Sequence, residues 1–153
     1  MRLNAFTDYS LRLLMFVATA PEGRGTIAEA AKAFGISENH LVKVAHFLGR
    51  EGFLVNTRGR GGGLRLARPA KQISVGALVR ACEGEPAPVQ CFLPGGDRCA
   101  IESACGLAGV LARAMSAFYR TLDAASLEDI TSRRTALIAV LHGPRQSVLE
   151  RLA

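Results

Sequence analysis

The run Arg58-Gly59-Arg60-Gly61-Gly62-Gly63 constrains this chain more than any other feature. Four glycines in six residues suit neither a helix nor a strand interior, because glycine loses the most backbone freedom on ordering. On either side the pattern alternates with period two, in Phe53-Leu54-Val55-Asn56-Thr57 and Leu64-Arg65-Leu66-Ala67. The segment is therefore expected to be a β-hairpin with a glycine-arginine tip, closed by Pro69. What precedes it has helical period. Phe6, Tyr9, Leu13, Phe16 and Val17 place a first helix from about Asn4 to Thr19, stopped by Pro21-Glu22-Gly23. Thr26-Ile27-Ala28-Glu29 is a capping box, opening a short helix that ends at Gly35. Ser37 caps a third helix, through roughly Glu51, with Leu41, Val44, Ala45 and Leu48 on one face. Two short helices across the Phe34-Gly35-Ile36 turn, then a basic hairpin, make a winged helix-turn-helix.

That arrangement has an obvious use. The second helix of such a pair fits the DNA major groove, with its leading residues against base edges. Here these are Ser37, Glu38, Asn39, His40 and Lys43. Asn39 and His40 can address bases, and Lys43 can reach a phosphate. At the wing, Arg58 and Arg60 supply charge, while Gly61 and Gly62 let the backbone come close. The glycine run is not a P-loop, since no Gly-Lys-Ser/Thr follows, nor a dinucleotide fingerprint, since it joins two strands. His46 is read as a helix-face residue rather than a metal ligand. Charge distribution agrees: residues 1–80 carry twelve Lys/Arg against five acids, residues 81–153 seven against eight. The excess lies where DNA would be bound.

Beyond Pro69, Val75, Leu78, Val79 and Cys82 share one face of a fourth helix, about Ser74–Glu83. Glu85-Pro86-Ala87-Pro88 breaks the chain, and three cysteines follow within fifteen residues: Cys91, Cys99 and Cys105. Structural zinc sites use Cys pairs two to four residues apart, and dithiol redox sites use Cys-x-x-Cys; neither is present. Gaps of seven and five residues suit an iron cluster met from several directions. Clusters are normally held by four ligands, so one place is vacant or filled by a weaker ligand. Cys82 is available, but its apolar helix face fits a buried thiol better. A last long helix runs from about Cys105 or Gly106 to Leu122, with Leu107, Val110, Leu111, Ala114, Met115, Phe118 and Leu122 as an apolar stripe. Ser126-x-x-Asp129 caps a final short segment.

These motifs together resemble the iron–sulfur winged-helix repressors, the family that includes NsrR and IscR, and within it the NsrR type. The resemblance covers about residues 1–140. It rests on Arg2-Leu3-x-x-Phe6-Thr7-Asp8-Tyr9-x-Leu11-Arg12, on the wing from Arg58 to Leu66, on the three cysteines, and on Phe118-x-x-x-Leu122-x-x-x-Ser126-Leu127-x-Asp129. It implies that Cys91, Cys99 and Cys105 bind the cluster, that the third helix and wing bind DNA, and that the long helix pairs two subunits. IscR-type relatives carry a histidine three residues after the third cysteine, where this chain has Ala108. A fourth ligand must then come from elsewhere, and Asp8 from the partner subunit is the candidate.

The expected protein is mainly α. A winged helix-turn-helix domain occupies residues 1–83, a cluster loop 84–105, and a dimerisation helix with its C-terminal segment 106–142, followed by a flexible tail, 143–153. It is expected to be a homodimeric repressor, not an enzyme, that holds a palindromic duplex through a 4Fe–4S or 2Fe–2S cluster and releases it when nitric oxide nitrosylates that cluster. Two alternatives stand beside this: a regulator sensing redox state, iron, zinc or cluster supply through the same cysteines, and an electron carrier using the same cluster. The start of the chain lacks the apolar stretch of a signal peptide, and the longest apolar run, around Leu13–Ala20, is too short to span a bilayer. A cytoplasmic location with reduced thiols and no membrane partner is expected.

Overall fold

The first helix, α1 (Ala5–Thr19), is the axle of the structure, and its packing follows from its sequence. Asn4 caps it by accepting from the Thr7 backbone N–H. Leu13, Leu14, Phe16 and Val17 are all at most 1% exposed. The computed structural model describes residues 2–57, 59, 62–84, 89–92 and 99–143. Around α1 pack α2 (Ile27–Phe34) and α3 (Glu38–Arg50), a two-stranded sheet of β1 (Leu54–Thr57) and β2 (Gly63–Leu66), and α4 (Val75–Glu83).

Local chemistry explains each junction. Thr26 and Glu29 form the reciprocal capping box of α2. Gly35, at φ 66°, ends α2 in the left-handed region that favours glycine, and so makes the tight turn into α3. Ser37 caps α3 by accepting from His40 N–H. The antiparallel register pairs Leu54 with Leu66 and Thr57 with Gly63. The hairpin is held to the body where Gly25 and Leu64 exchange backbone hydrogen bonds of 3.1 and 2.7 Å. Leu54 and Leu64 face inward into the core shared by Leu41, Val44, Leu48 and Leu78.

After the cysteine region, α5 (Gly106–Asp123) departs from this pattern, because none of its residues is buried. Its far end is fastened to α4. Arg80 makes two 2.6 Å hydrogen bonds to the Asp123 carboxylate, and its guanidinium lies 4.5 Å from the Tyr119 ring centroid. The hydrogen bonds from Arg80, with its positive charge, hold Asp123 below the ordinary carboxylate range. The chain then returns to the core through α6 (Leu127–Ile130), opened by the Ser126–Asp129 capping box. Leu127 is 1% exposed, and Leu127 N–H donates to Ile73 O at 2.8 Å.

A further helix, α7 (Arg134–Leu141), was not anticipated from the sequence. No side chain caps it, which removes the signal that marks the starts of α1 to α4 and of α6. It is held by Arg134, which donates to Ala18 O at 2.7 Å, and by His142, whose ring sits 4.4 Å from that of Phe16. Of the expected flexible tail, 143–153, all but Gly143 lies outside the described residues. Among the described residues no helix is long and apolar enough to cross a membrane.

Candidate DNA-reading face and cysteine site

Along α3 the buried positions Leu41, Val44, Ala45 and Leu48 turn inward. Glu38, Asn39, His40, Val42, Lys43, His46 and Arg50 are left on the exposed side. Asn39, His40 and Lys43, the expected DNA contacts on this helix, are therefore all exposed on its outer side. Ser37 is exposed too, but its hydroxyl is engaged as the cap, which fits a role in ordering the first turn. Inward support comes from α1: Tyr9 lies against His40 with ring centroids 6.0 Å apart, and Phe6 meets Phe47 edge-on at 5.1 Å. Neither contact was readable from local sequence pattern. From β1, Asn56 donates to Ala45 O, tying the hairpin to the same helix.

At the wing, Gly62 N–H donates to Gly59 O at 2.9 Å, closing the tip. Gly62 is half-buried there. The expected contacts Arg58, Arg60 and Gly61 lie outside the described residues.

The four cysteines are all free thiols. Cys91 and Cys99 are exposed and Cys105 is half-buried. Cys91 falls in a single turn of 3-10 helix, Gln90–Phe92. Glu102 N–H donates to Cys99 O at 2.9 Å, turning the chain back toward Cys105. Cys105 is the N-cap residue of α5, and its side chain makes no capping hydrogen bond. Its sulfur is free of the helix it introduces. Three thiols in irregular chain fit the donor chemistry of an iron–sulfur cluster. Among the described residues no three His, Cys, Asp or Glu side chains come together as a cation site, so Cys91, Cys99 and Cys105 are not gathered with one another or with Asp8 in the single chain.

Cys82 behaves differently. It is half-buried against the core between α1 and α4, and burial pushes its thiol pKa upward, opposed by hydrogen bonds with Ser10 and Thr7. That environment disfavours the thiolate a ligand needs. Beside it, Glu83 receives hydrogen bonds from the Thr7 hydroxyl and from Asn4 N–H, fastening the start of α1 to the end of α4. Asp8, one turn further on, has a half-exposed carboxylate that accepts from Arg12 Nε at 3.0 Å. To serve as a ligand, Asp8 would turn from Arg12 or use its second oxygen.

Comparison with known proteins places this geometry. The pattern of the Rrf2 family, described as "Iron-dependent Transcriptional regulator", matches residues 3–133. The chain is 40% identical over 142 residues to the HTH-type transcriptional regulator NsrR of Geobacillus kaustophilus, covering 92% of this chain and 97% of that one. It is 37% identical, with the same coverage, to NsrR of Halalkalibacterium halodurans. Among solved structures it resembles CymR, the global cysteine regulator of B. subtilis, with TM-score 0.70 and 25% identity over 87% of this chain and 98% of that one. IscR of T. potens, at 19% identity and TM-score 0.68 over 98% and 96% of the two chains, shares the fold.

Proposed function

Since the chain belongs to the Rrf2 family of iron-dependent transcriptional regulators, we propose that it is a homodimeric repressor whose DNA affinity is set by an iron–sulfur cluster and lowered by nitric oxide. The coarser part is already established: this is a winged-helix transcriptional repressor and not an enzyme. The finer part rests on the site. Cys91, Cys99 and Cys105 would hold the cluster, with Asp8 of the partner subunit as fourth ligand. When bound, the cluster supplies iron reactive toward nitric oxide, and the displaceable carboxylate, a hard ligand among soft ones, leaves one iron accessible. A 4Fe–4S and a 2Fe–2S cluster both suit this donor set, and the dimer is proposed to act in the cytoplasm.

The observation that carries this reading is the position of Cys105 at the N-cap of α5. A thiol anchored there fixes the start of the helix, and Arg80–Asp123 fixes its end to α4. Pulling or freeing the Cys91–Cys105 segment therefore moves a rigid rod joined to the DNA-reading body. The apolar stripe of α5 needs a cover: Leu107 is 59% and Val110 51% exposed in the single chain. A second copy packed on that stripe buries it and sets two α3 helices about one DNA turn apart, ~34–36 Å, for a palindromic duplex. Residues 1–83, 84–105 and 106–142 then divide the work as reading head, sensor loop and dimer arm. A coupling of ~3 kcal/mol between DNA-competent and incompetent states changes affinity by about 150-fold.

The exposed, unpaired Cys91 and Cys99 also favour a second reading, in which thiol oxidation or metal supply is the signal. An anaerobic absorption spectrum with iron and sulfide assays, taken before and after nitric oxide alongside DNA affinity, separates them. Visible charge-transfer bands that collapse with nitric oxide as DNA affinity falls support the sensor. Bands that survive nitric oxide refute it and leave metal supply as the signal, and a protein that takes up no iron on reconstitution refutes it and leaves thiol oxidation.

A further inference from the structure

The exposed face of α3 contains one residue that charge and hydrogen bonding do not account for. Val42 is 50% exposed, the only large apolar side chain so exposed on that helix among the described residues. Its helical neighbours on the outward stripe are Asn39, three residues before, and His46, four residues after, with Lys43 adjoining. The inward stripe is complete without it, since Leu41, Val44, Ala45 and Leu48 are already at most 1% exposed. Val42 thus contributes nothing to the core and presents its two methyl groups to the surface intended for DNA.

We infer that Val42 is a specificity-determining residue that packs against a thymine 5-methyl group in each half-site, beside a base read by Asn39. This rests on the assignment of α3 as the recognition helix. In the major groove the thymine methyl is the one apolar feature of the base edges, and small apolar side chains are its natural partners. Asn suits adenine, donating and accepting at its N6 and N7 edge. Three residues of helix advance ~4.5 Å along the axis, against ~3.4 Å per base pair, so Asn39 and Val42 address neighbouring or next-neighbouring pairs. Lys43, on the flank, is left to hold a phosphate. The stiff β-branched side chain of valine has little rotamer freedom to lose on docking.

The test uses the full chain, reconstituted anaerobically with iron and sulfide, and a duplex enriched by that protein from a random pool. Each thymine of the enriched duplex is replaced singly by deoxyuridine, which removes only the methyl group. Affinity is then measured for the wild type and for Val42→Ala. Wild type is expected to lose about fourfold at one thymine per half-site, the size of one methyl's burial, and Val42→Ala to be indifferent to that same replacement. Circular dichroism of Val42→Ala, an exposed position, is expected to match wild type. Loss of affinity at the same thymine in both proteins, or at no thymine, overturns the role of Val42 while leaving α3 as the reader. Failure to enrich any duplex overturns the recognition-helix assignment, and this inference with it.

Discussion

The two parts of this chain solve the burial problem in opposite ways. The reading head, from α1 through α4 with Leu127 of α6, encloses Leu13, Leu14, Leu41, Leu48 and Leu78 at 0–1% exposure. The helix α5, the proposed dimer arm, is longer than any other helix described, yet buries no residue in the single chain. The head closes its core by its own contacts, while α5 leaves Leu107 and Val110 more than half exposed, and in the proposed function a second copy covers them. A regulator gains from that division. In the proposed function, the part that keeps a fixed shape against DNA is insulated in a closed core, and the part that would respond to a signal is joined to it through the Arg80–Asp123 pair.

The sharpest way to break the contrast is a pair of substitutions. Leu48→Ala in the head should cost about 2–5 kcal/mol in urea unfolding, the usual loss for a fully buried leucine. Val110→Glu in the arm should leave the head's unfolding within about 0.5 kcal/mol, yet shift sedimentation toward monomer. If Val110→Glu unfolded the head, the two regions would not be separable. Next in size is the joint. A Cβ at Gly76 would strike the Asp123 carboxylate and come within 2.8 Å of the Asp123 backbone N. Gly76→Ala should therefore cost about 1–3 kcal/mol and increase hydrogen exchange at the end of α5.

Arg80→Ala tests the same joint more gently. Its ion pair is exposed, so the effect should be small and should shrink with added salt. Asp123 is held below its ordinary value chiefly by the Arg80 hydrogen bond. The clamp's contribution is thus present above the ordinary carboxylate pKa of ~3.9 and is lost as pH falls through the lowered folded value, a dependence the variant should lack. The smallest effect is expected at His142. Burial pushes its imidazole below the ordinary value, so the neutral ring is favoured against Phe16 and beside Thr19 Oγ1 at 3.2 Å. That stabilisation is complete above the unfolded pKa of ~6.5 and declines as pH falls through the lowered folded value. Melting curves from about pH 7.5 to about 5.5 should therefore slope less for His142→Gln than for wild type.

Legibility in the sequence divides along the same boundary. The head's elements announce themselves by local signals: Asn4, Thr26, Ser37 and Ser74 each stand at a helix start and accept from the backbone three residues on. Gly35 and the wing glycines mark the turns. The expected strand at Phe53 begins one residue later, at Leu54, and helix starts read at Asn4 and Ser74 prove to be their caps. The Ser126–Asp129 capping box was equally readable. What escaped notice joins residues far apart in the chain: Arg80 with Asp123, Tyr9 with His40, Phe16 with His142. No periodicity or cap encodes such pairings. Helix α7 escaped for the related reason that it is held by distant contacts and lacks a cap. In the cysteine region, the spacing put the start of the long helix at Cys105 or Gly106, and the structure makes Cys105 its N-cap.

That last placement makes the central claim directly measurable. Cys105→Ala removes a thiol that makes no capping hydrogen bond, so folding and dimerisation should survive. Fluorescence anisotropy against the enriched duplex, under anaerobic conditions after iron and sulfide reconstitution, would compare this variant with wild type at equal dimer content. A loss of DNA affinity of about tenfold or more, with an unchanged melting curve for the head, is the result this account predicts. Equal affinity for the two proteins would contradict it, because the cysteines would then have no hold on the reading helices.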